Sequence, residues 1–279
     1  MINLRHTPEA LQHYQTWWTE HREAEEAAFT QYLEKKEKNK NSSAKWVRAG
    51  HREELMKVLI ASCHGKCAYC ERYMDLGGGP EEIEHFLPKW KHPALALELT
   101  NMLLCCRACN TAKGSHVNKE GKEILNPYED HPIQQHLRMN PQTMMLEGLS
   151  ELGTATIAKL QRALNCNKAI LRFENEDGKI ISREIKGALP HRLNLKRLID
   201  KEYAELKTCT DLSYVLRKLR GHLRSIEPHE PLTATLAGLW LQSAAFQAVV
   251  VSLQKHFPED THTLRALAEQ KAQYILMPH

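Results

Sequence analysis

The chain holds eight cysteines, and four of them fall into two pairs at a spacing that binds metal. Cys67-Ala68-Tyr69-Cys70 is one C-x-x-C step. Cys106-Arg107-Ala108-Cys109 is a second, beginning 36 positions after Cys70. Two residues between cysteines let both sulfurs reach one ion from a tight turn, and Zn²⁺ takes four thiolates at ~2.3 Å in a tetrahedron. Two such pairs make a closed, structural zinc site, with no coordination position left for a substrate. Cys105 adjoins Cys106, so a Cys105-x-x-x-Cys109 pairing is a geometric alternative, although the two-residue spacing favours Cys106. Cys63, Cys166 and Cys209 stand at no motif spacing and read as small buried hydrophobes. A clamp alone could be a zinc ribbon without chemistry, so the residues it encloses decide what it is for.

Two stretches lie there: Glu82-Ile83-Glu84-His85-Phe86-Leu87-Pro88-Lys89, and Asn101-Met102-Leu103-Leu104-Cys105-Cys106-Arg107-Ala108-Cys109-Asn110-Thr111-Ala112-Lys113-Gly114. The order C-x-x-C, acid-His, Asn, C-x-x-C-Asn, x-x-Lys-Gly resembles the zinc-containing branch of the HNH endonucleases. The matched stretch is about a fifth of the chain. The resemblance implies a zinc-stabilised ββα-metal core: two strands and a helix around one catalytic divalent ion. It also implies roles. His85 would be the general base, Asn110 a ligand of the catalytic metal, and Glu84 the acid before the histidine, usually Asp in that family. Asn101 would orient the loop or His85 itself, and Lys113 would contact phosphate. The chemistry is coherent: phosphodiester cleavage needs a base and a cation that stabilises charge on phosphorus and on the leaving oxygen. Carboxylate and amide oxygens suit Mg²⁺ or Mn²⁺ better than zinc.

The resemblance goes further in Glu84-His85-Phe86-Leu87-Pro88-Lys89, in Leu125-Asn126-Pro127-Tyr128-Glu129-Asp130-His131-Pro132, and in Thr154-Ala155-Thr156-Ile157 with Leu160 and Leu164-Asn165. These are similar to the retron- and Septu-associated, PtuB-type HNH nucleases of bacterial anti-phage defence. That similarity implies DNA, of phage or host, as the substrate and a PtuA-like ABC-type ATPase as a partner. In the retron branch it also implies a retron RNA/DNA complex as a partner.

Charge agrees with a nucleic-acid substrate near this motif. Residues 85–122 hold six basic side chains (Lys89, Lys91, Arg107, Lys113, Lys119, Lys122) against two acidic ones, Glu98 and Glu120. Lys89, Lys91, Arg107 and Lys113 are the candidate backbone contacts. A merely solvated face is the competing reading. His92 and His116 claim no motif position. The whole chain, 279 residues with a net charge of +4, permits a nucleic-acid partner without requiring one.

The elements that must position the motif are mostly helical, so the expected class is α+β, mainly α. Residues 1–62 form an N-terminal helical segment. Within it, residues 8–37 read as one amphipathic helix with Leu11, Tyr14, Trp18, Ala28, Phe29 and Tyr32 at helical spacing. Asn41-Ser42-Ser43 offers an N-cap for a second helix to about Ser62, with Val47, Leu55, Met56, Leu59 and Ile60 on its inner face. Residues 63–123 hold six of the eight cysteines, glycines at 77–79 and prolines at 80, 88 and 93. A segment so poor in apolar periodicity needs a metal staple. Residues 124–190 form a mixed extension, with a helix over 154–164 and a hairpin around Asp177-Gly178. Residues 191–279 form a C-terminal helical region, with helices at 191–224, 231–256 and 259–275.

The first 30 residues hold no uninterrupted apolar stretch, which excludes a secretory signal there and favours the cytoplasm. Residues 231–254 carry no charge, but Gln242, Ser243, Gln247, Ser252 and Gln254 interrupt them. They read as a buried or docking helix rather than a membrane span. Trp17-Trp18 is a second candidate docking patch, with core packing as its rival reading. A zinc-bearing nucleic-acid-binding or adaptor module without hydrolytic activity stays open as the alternative.

Overall fold

A computed structural model describes residues 4, 6–39, 42, 44–74, 81–114, 124–128, 133–174, 180–224, 226 and 244–271. Asn41, Ser43, Gly77–Gly79, Pro80, His116, Lys119, Lys122, Asp177-Gly178 and residues 231–243 lie outside them. The described part is mainly α with small sheets, each a two-stranded antiparallel pair.

Helix α1 spans Pro8–Lys38, opened by Thr7, whose hydroxyl accepts from the Ala10 amide, and by proline in its first turn. Lys35, Lys36 and Lys38 close it, cations at the negative end of the helix dipole. Helix α2 spans Ala49–Cys63. The two helices pack around the wholly buried His51, whose Nε2 hydrogen-bonds Tyr14 at 3.0 Å and whose Nδ1 lies 3.2 Å from Glu25. Trp17 stacks on the same ring and Trp18 lies tilted against it, both indoles half-buried. Burial among these aromatics pushes His51 down to about 4, so it is neutral at ordinary pH.

Helix α2 begins five residues later than an N-cap at Ser43 would place it. Trp46 and Val47 instead lie in a bend ahead of the helix, Val47 buried and Trp46 packed on the core. Burial of these two side chains outweighs a local capping bond. Ile60, expected inside, is exposed, and Val58 takes the buried position.

Strand β1 (Glu81–His85) pairs antiparallel with β2 (Met102–Cys106), so that Glu82 faces Cys105, Glu84 faces Leu103 and His85 faces Met102. Helix α3 (Arg107–Lys113) follows β2 without a gap. Every residue of β2 is buried, which suits a strand covered on both faces.

Strands β3 (Leu137–Met139) and β4 (Leu146–Gly148) form a hairpin under helix α4 (Glu151–Leu164). Ser150 caps α4 by accepting from the Gly153 amide at 3.0 Å. Strands β5 (Lys168–Glu174) and β6 (Ile180–Lys186) pair across the Asp177-Gly178 step. Helices α5 (Leu189–Thr208), α6 (Leu212–Arg224), α7 (Ala244–Gln254) and α8 (Pro258–Lys271) complete the described chain. The single helix expected over 191–224 is two helices. Asp211 accepts from the Tyr214 amide at 3.0 Å, an N-cap that starts α6 and ends continuity with α5. Among the described residues no helix is long and apolar enough to cross a membrane.

One continuous core joins these parts, running from Leu4 through the zinc-motif cysteines to Leu264. Buried Arg192 ties α5 to the middle of the chain, donating to the carbonyls of Met144 and Leu164 and to Asn165. A smaller cluster of Phe29, Tyr32 and Ala96, flanked by Trp46, lies beside the loop after β1.

The contact between α4 and the β3–β4 hairpin depends on glycine. A Cβ on Gly153 would fall 1.9 Å from the His136 carbonyl oxygen, so Gly153→Ala forces backbone apart. We expect a stability loss of about 1–3 kcal/mol in a denaturant melt. Gly50→Ala is the control: it meets nothing within 4 Å in helix α2, and should gain up to about 1 kcal/mol.

Candidate functional site

Four elements converge on the cysteines. Helix α2 ends in left-handed backbone at His64 (φ 53°) and Gly65, which turns the chain into the first knuckle. There the Glu71 amide donates to the Cys67 carbonyl and the Ala68 amide to Leu104 of β2. Cys106 ends β2 as the N-cap of α3, and Cys109 lies one turn inside that helix. The sulfurs of Cys67, Cys70, Cys106 and Cys109 all lie within 4.8 Å of one another and are buried. Cys70 and Cys106 are 3.8 Å apart, matching the ~3.8 Å edge of a tetrahedron with 2.3 Å zinc–sulfur bonds. This cluster could hold a structural metal such as zinc, with no position open for substrate. Cys105 Sγ lies 4.0 Å from Cys67 Sγ, beside the four rather than among them. Cys63 is buried as expected, whereas Cys166 and Cys209 are only half-buried.

Sequence reasoning missed Arg72. It is buried, with Nε 3.5 Å from Cys70 Sγ and Nη2 3.7 Å from Cys106 Sγ. Four thiolates on a divalent ion leave a net charge of −2, and a guanidinium donating to two of them offsets it. Burial opposes the charged form of Arg72, but the thiolates of Cys70 and Cys106 hold it above its ordinary value. A cation two residues past a C-x-x-C step was the available signal.

His85, the last residue of β1, is 7% exposed, and its Nε2 donates to the Ala96 carbonyl at 2.9 Å. A carbonyl can only accept, so Nε2 carries the proton and the neutral ring has its lone pair on Nδ1. Trp46 meets the same ring edge-on at 4.5 Å, a contact 39 residues away in sequence that no local pattern announces.

Asn101 sits at the foot of β2 and clamps the loop between the strands. Its Oδ1 accepts from the Leu87 amide at 2.7 Å, and its Nδ2 donates to the carbonyls of Leu87 and Leu95 at 3.1 and 3.0 Å. The loop that bears the Ala96 carbonyl is thereby held to the strand that bears His85. We expect Asn101→Ala to cost about 1–3 kcal/mol, since it leaves three backbone groups without this partner. Faster hydrogen exchange at the Leu87 amide would register the loss, and an unchanged rate would contradict it.

Glu84 and Asn110 take separate partners. Glu84 is buried and ion-paired with Lys113, which also donates to the His85 carbonyl at 2.9 Å. Burial pushes the Glu84 carboxyl up, and the Lys113 ammonium works against that shift. Asn110 donates to Glu82 at 2.7 Å, and Arg107 donates to the same carboxylate at 2.9 Å. Alternation along β1 puts Glu82 and Glu84 on one face, and the helical stripe Arg107, Asn110, Lys113 lies against it. Lys113, expected on the surface against phosphate, is therefore 1% exposed, because a buried carboxylate needs a cation. Arg107 is ion-paired but half-exposed. Lys89 is half-buried, and Lys91 and His92 are exposed.

No family model matches the chain, and no solved structure does. Among curated proteins it is similar to a protein described as Septu protein PtuB, from Bacillus thuringiensis. The two are 31% identical over 151 residues, 47% of this chain and 58% of the relative. The chain is thus PtuB-like over about half its length, and it spans less than two thirds of that relative.

Proposed function

We propose that this chain is a metal-dependent HNH endonuclease that hydrolyses phosphodiester bonds of DNA, working in a Septu- or retron-type anti-phage complex with a PtuA-like ABC-type ATPase. The observation that carries the reading is the setting of His85. A proton-accepting imidazole stands at the end of β1, tautomer set by Ala96 and loop clamped by Asn101, on a β-β-α unit stapled by four cysteines. The PtuB-like stretch supports the defence role.

In this mechanism His85 Nδ1 takes a proton from the water that attacks phosphorus, while Asn101 keeps the ring and its loop in register. Mg²⁺ or Mn²⁺ would be held by Glu84 and Asn110, whose carboxylate and carboxamide oxygens suit a hard cation. When bound, such an ion neutralises charge on the phosphate and eases departure of the leaving oxygen. Glu84 already holds Lys113, so ammonium and metal compete for one carboxylate. Lys89, Lys91 and Arg107 supply positive charge for the strand backbone.

The test is incubation of the purified chain, alone and with its ATPase partner, with plasmid and phage DNA in Mg²⁺ or Mn²⁺. Metal-dependent cleavage is expected. Tight binding with no cleavage under any of these conditions favours a zinc-bearing binding or adaptor module instead.

A further inference from the structure

The loop after β1 carries a side chain that the hydrolytic reading leaves unused. Pro88 opens a tight turn, its carbonyl accepting from the amides of Lys91 and His92 at 3.0 and 2.9 Å. Trp90 stands at the tip of this turn with 48% of its surface exposed. Among the described residues it belongs to neither core cluster. Single exposed apolar residues are common and prove nothing. This one differs in its neighbours and its footing. Lys89 and Lys91 flank it, the Lys91 ammonium lies over the indole at 5.0 Å from its centroid, and exposed His92 follows. The loop is not slack: Asn101 grips it at Leu87 and Leu95, and His85 grips it at Ala96. The indole is thus held at a set position relative to the proposed base.

An exposed indole with a lysine ammonium over its ring suits a nucleobase with its phosphates, the ammonium turning to the phosphate as the base stacks. Bases inside a duplex present only their edges, so a stacking face selects a base that is unpaired. A groove for duplex backbone would need the cations and not the indole. An acidic peptide would be drawn by the same charges, but its carboxylates are repelled by the electron-rich face of an indole and so have no use for the ring. We propose that Trp90 is a stacking platform for an unpaired nucleobase, with Lys89 and Lys91 on the flanking phosphates, so that the substrate strand is single-stranded next to the cleavage point. This rests on the nuclease reading for the meaning of His85, but the binding itself can be measured apart from cleavage.

The experiment measures anisotropy of labelled oligonucleotides on the full chain and on Trp90→Ala and Trp90→Phe. The probes are a single strand, the same strand in duplex, the single strand with abasic positions, and polyglutamate. Trp90→Ala should weaken single-strand binding roughly 10- to 100-fold. It should leave the duplex nearly unchanged, with Trp90→Phe retaining most of the affinity. The abasic strand should bind wild type about as weakly as the intact strand binds Trp90→Ala. Unchanged single-strand binding, equal losses on duplex and abasic strands, or a matching loss on polyglutamate overturns the platform. Cleavage that needs His85 but ignores Trp90→Ala sinks this inference and leaves the nuclease standing. Trp90-dependent binding without cleavage by wild type does the reverse.

Discussion

His85→Ala should abolish cleavage and leave the fold intact. Loss of a positioned general base costs about 10²- to 10⁴-fold in rate, which takes a metal-dependent nuclease to the limit of a plasmid assay. The structural cost is smaller. The ring donates to the Ala96 carbonyl and meets Trp46 edge-on, and neither contact belongs to the metal clamp. His85→Gln separates the two roles. Glutamine can still donate to the Ala96 carbonyl and so keep the loop in place, yet it cannot accept a proton at neutral pH. Both variants should therefore be inactive, with His85→Gln closer to wild type in melting temperature. Relaxation of supercoiled plasmid at wild-type rates by either variant would remove His85 from the chemistry.

Cys67→Ser should unfold the centre of the molecule rather than slow a reaction. A structural zinc is worth on the order of 10 kcal/mol in small finger peptides. Here a packed core shares the load, so a loss of several kcal/mol and a drop of roughly 10 °C or more is expected. The end of α2, the start of α3 and both strands meet at these sulfurs, so losing one ligand disturbs all four elements. We expect one zinc ion per wild-type chain and less in this variant. Cys105→Ser is the comparison, because Cys105 lies 4.0 Å from Cys67 Sγ without being one of the four. It should keep its zinc and melt near wild type. A Cys105→Ser variant that loses metal, beside a Cys67→Ser variant that keeps it, would revive the Cys105–Cys109 pairing.

Much of this site was legible because its parts are local. A C-x-x-C step states its own geometry. Helix α1 announces itself by period, whereas its cap Thr7 went unread, as did Ser150, which starts α4 at Glu151 rather than at Thr154. The break between α5 and α6 was also local, since Asp211 caps α6, but the single helix expected over 191–224 ran straight through it. Cys105 is harder: spacing ranked it behind Cys106, and only the sulfur positions separated them.

What the chain determined by itself is therefore which chemical groups exist and how far apart they stand along the backbone: four thiols in two knuckles, one imidazole, two carboxamides. Tertiary structure decided whom they face. Glu84 meets Lys113 across 29 positions, Arg72 meets Cys106 across 34, and Trp46 reaches His85 across 39. None of these pairings follows from residue type, because each depends on how a strand face and a helix stripe dock. Once docking had buried Glu84, the cost of an unpaired charge drew in the nearest ammonium. A lysine that reads as a surface contact in the linear chain became an internal counter-ion.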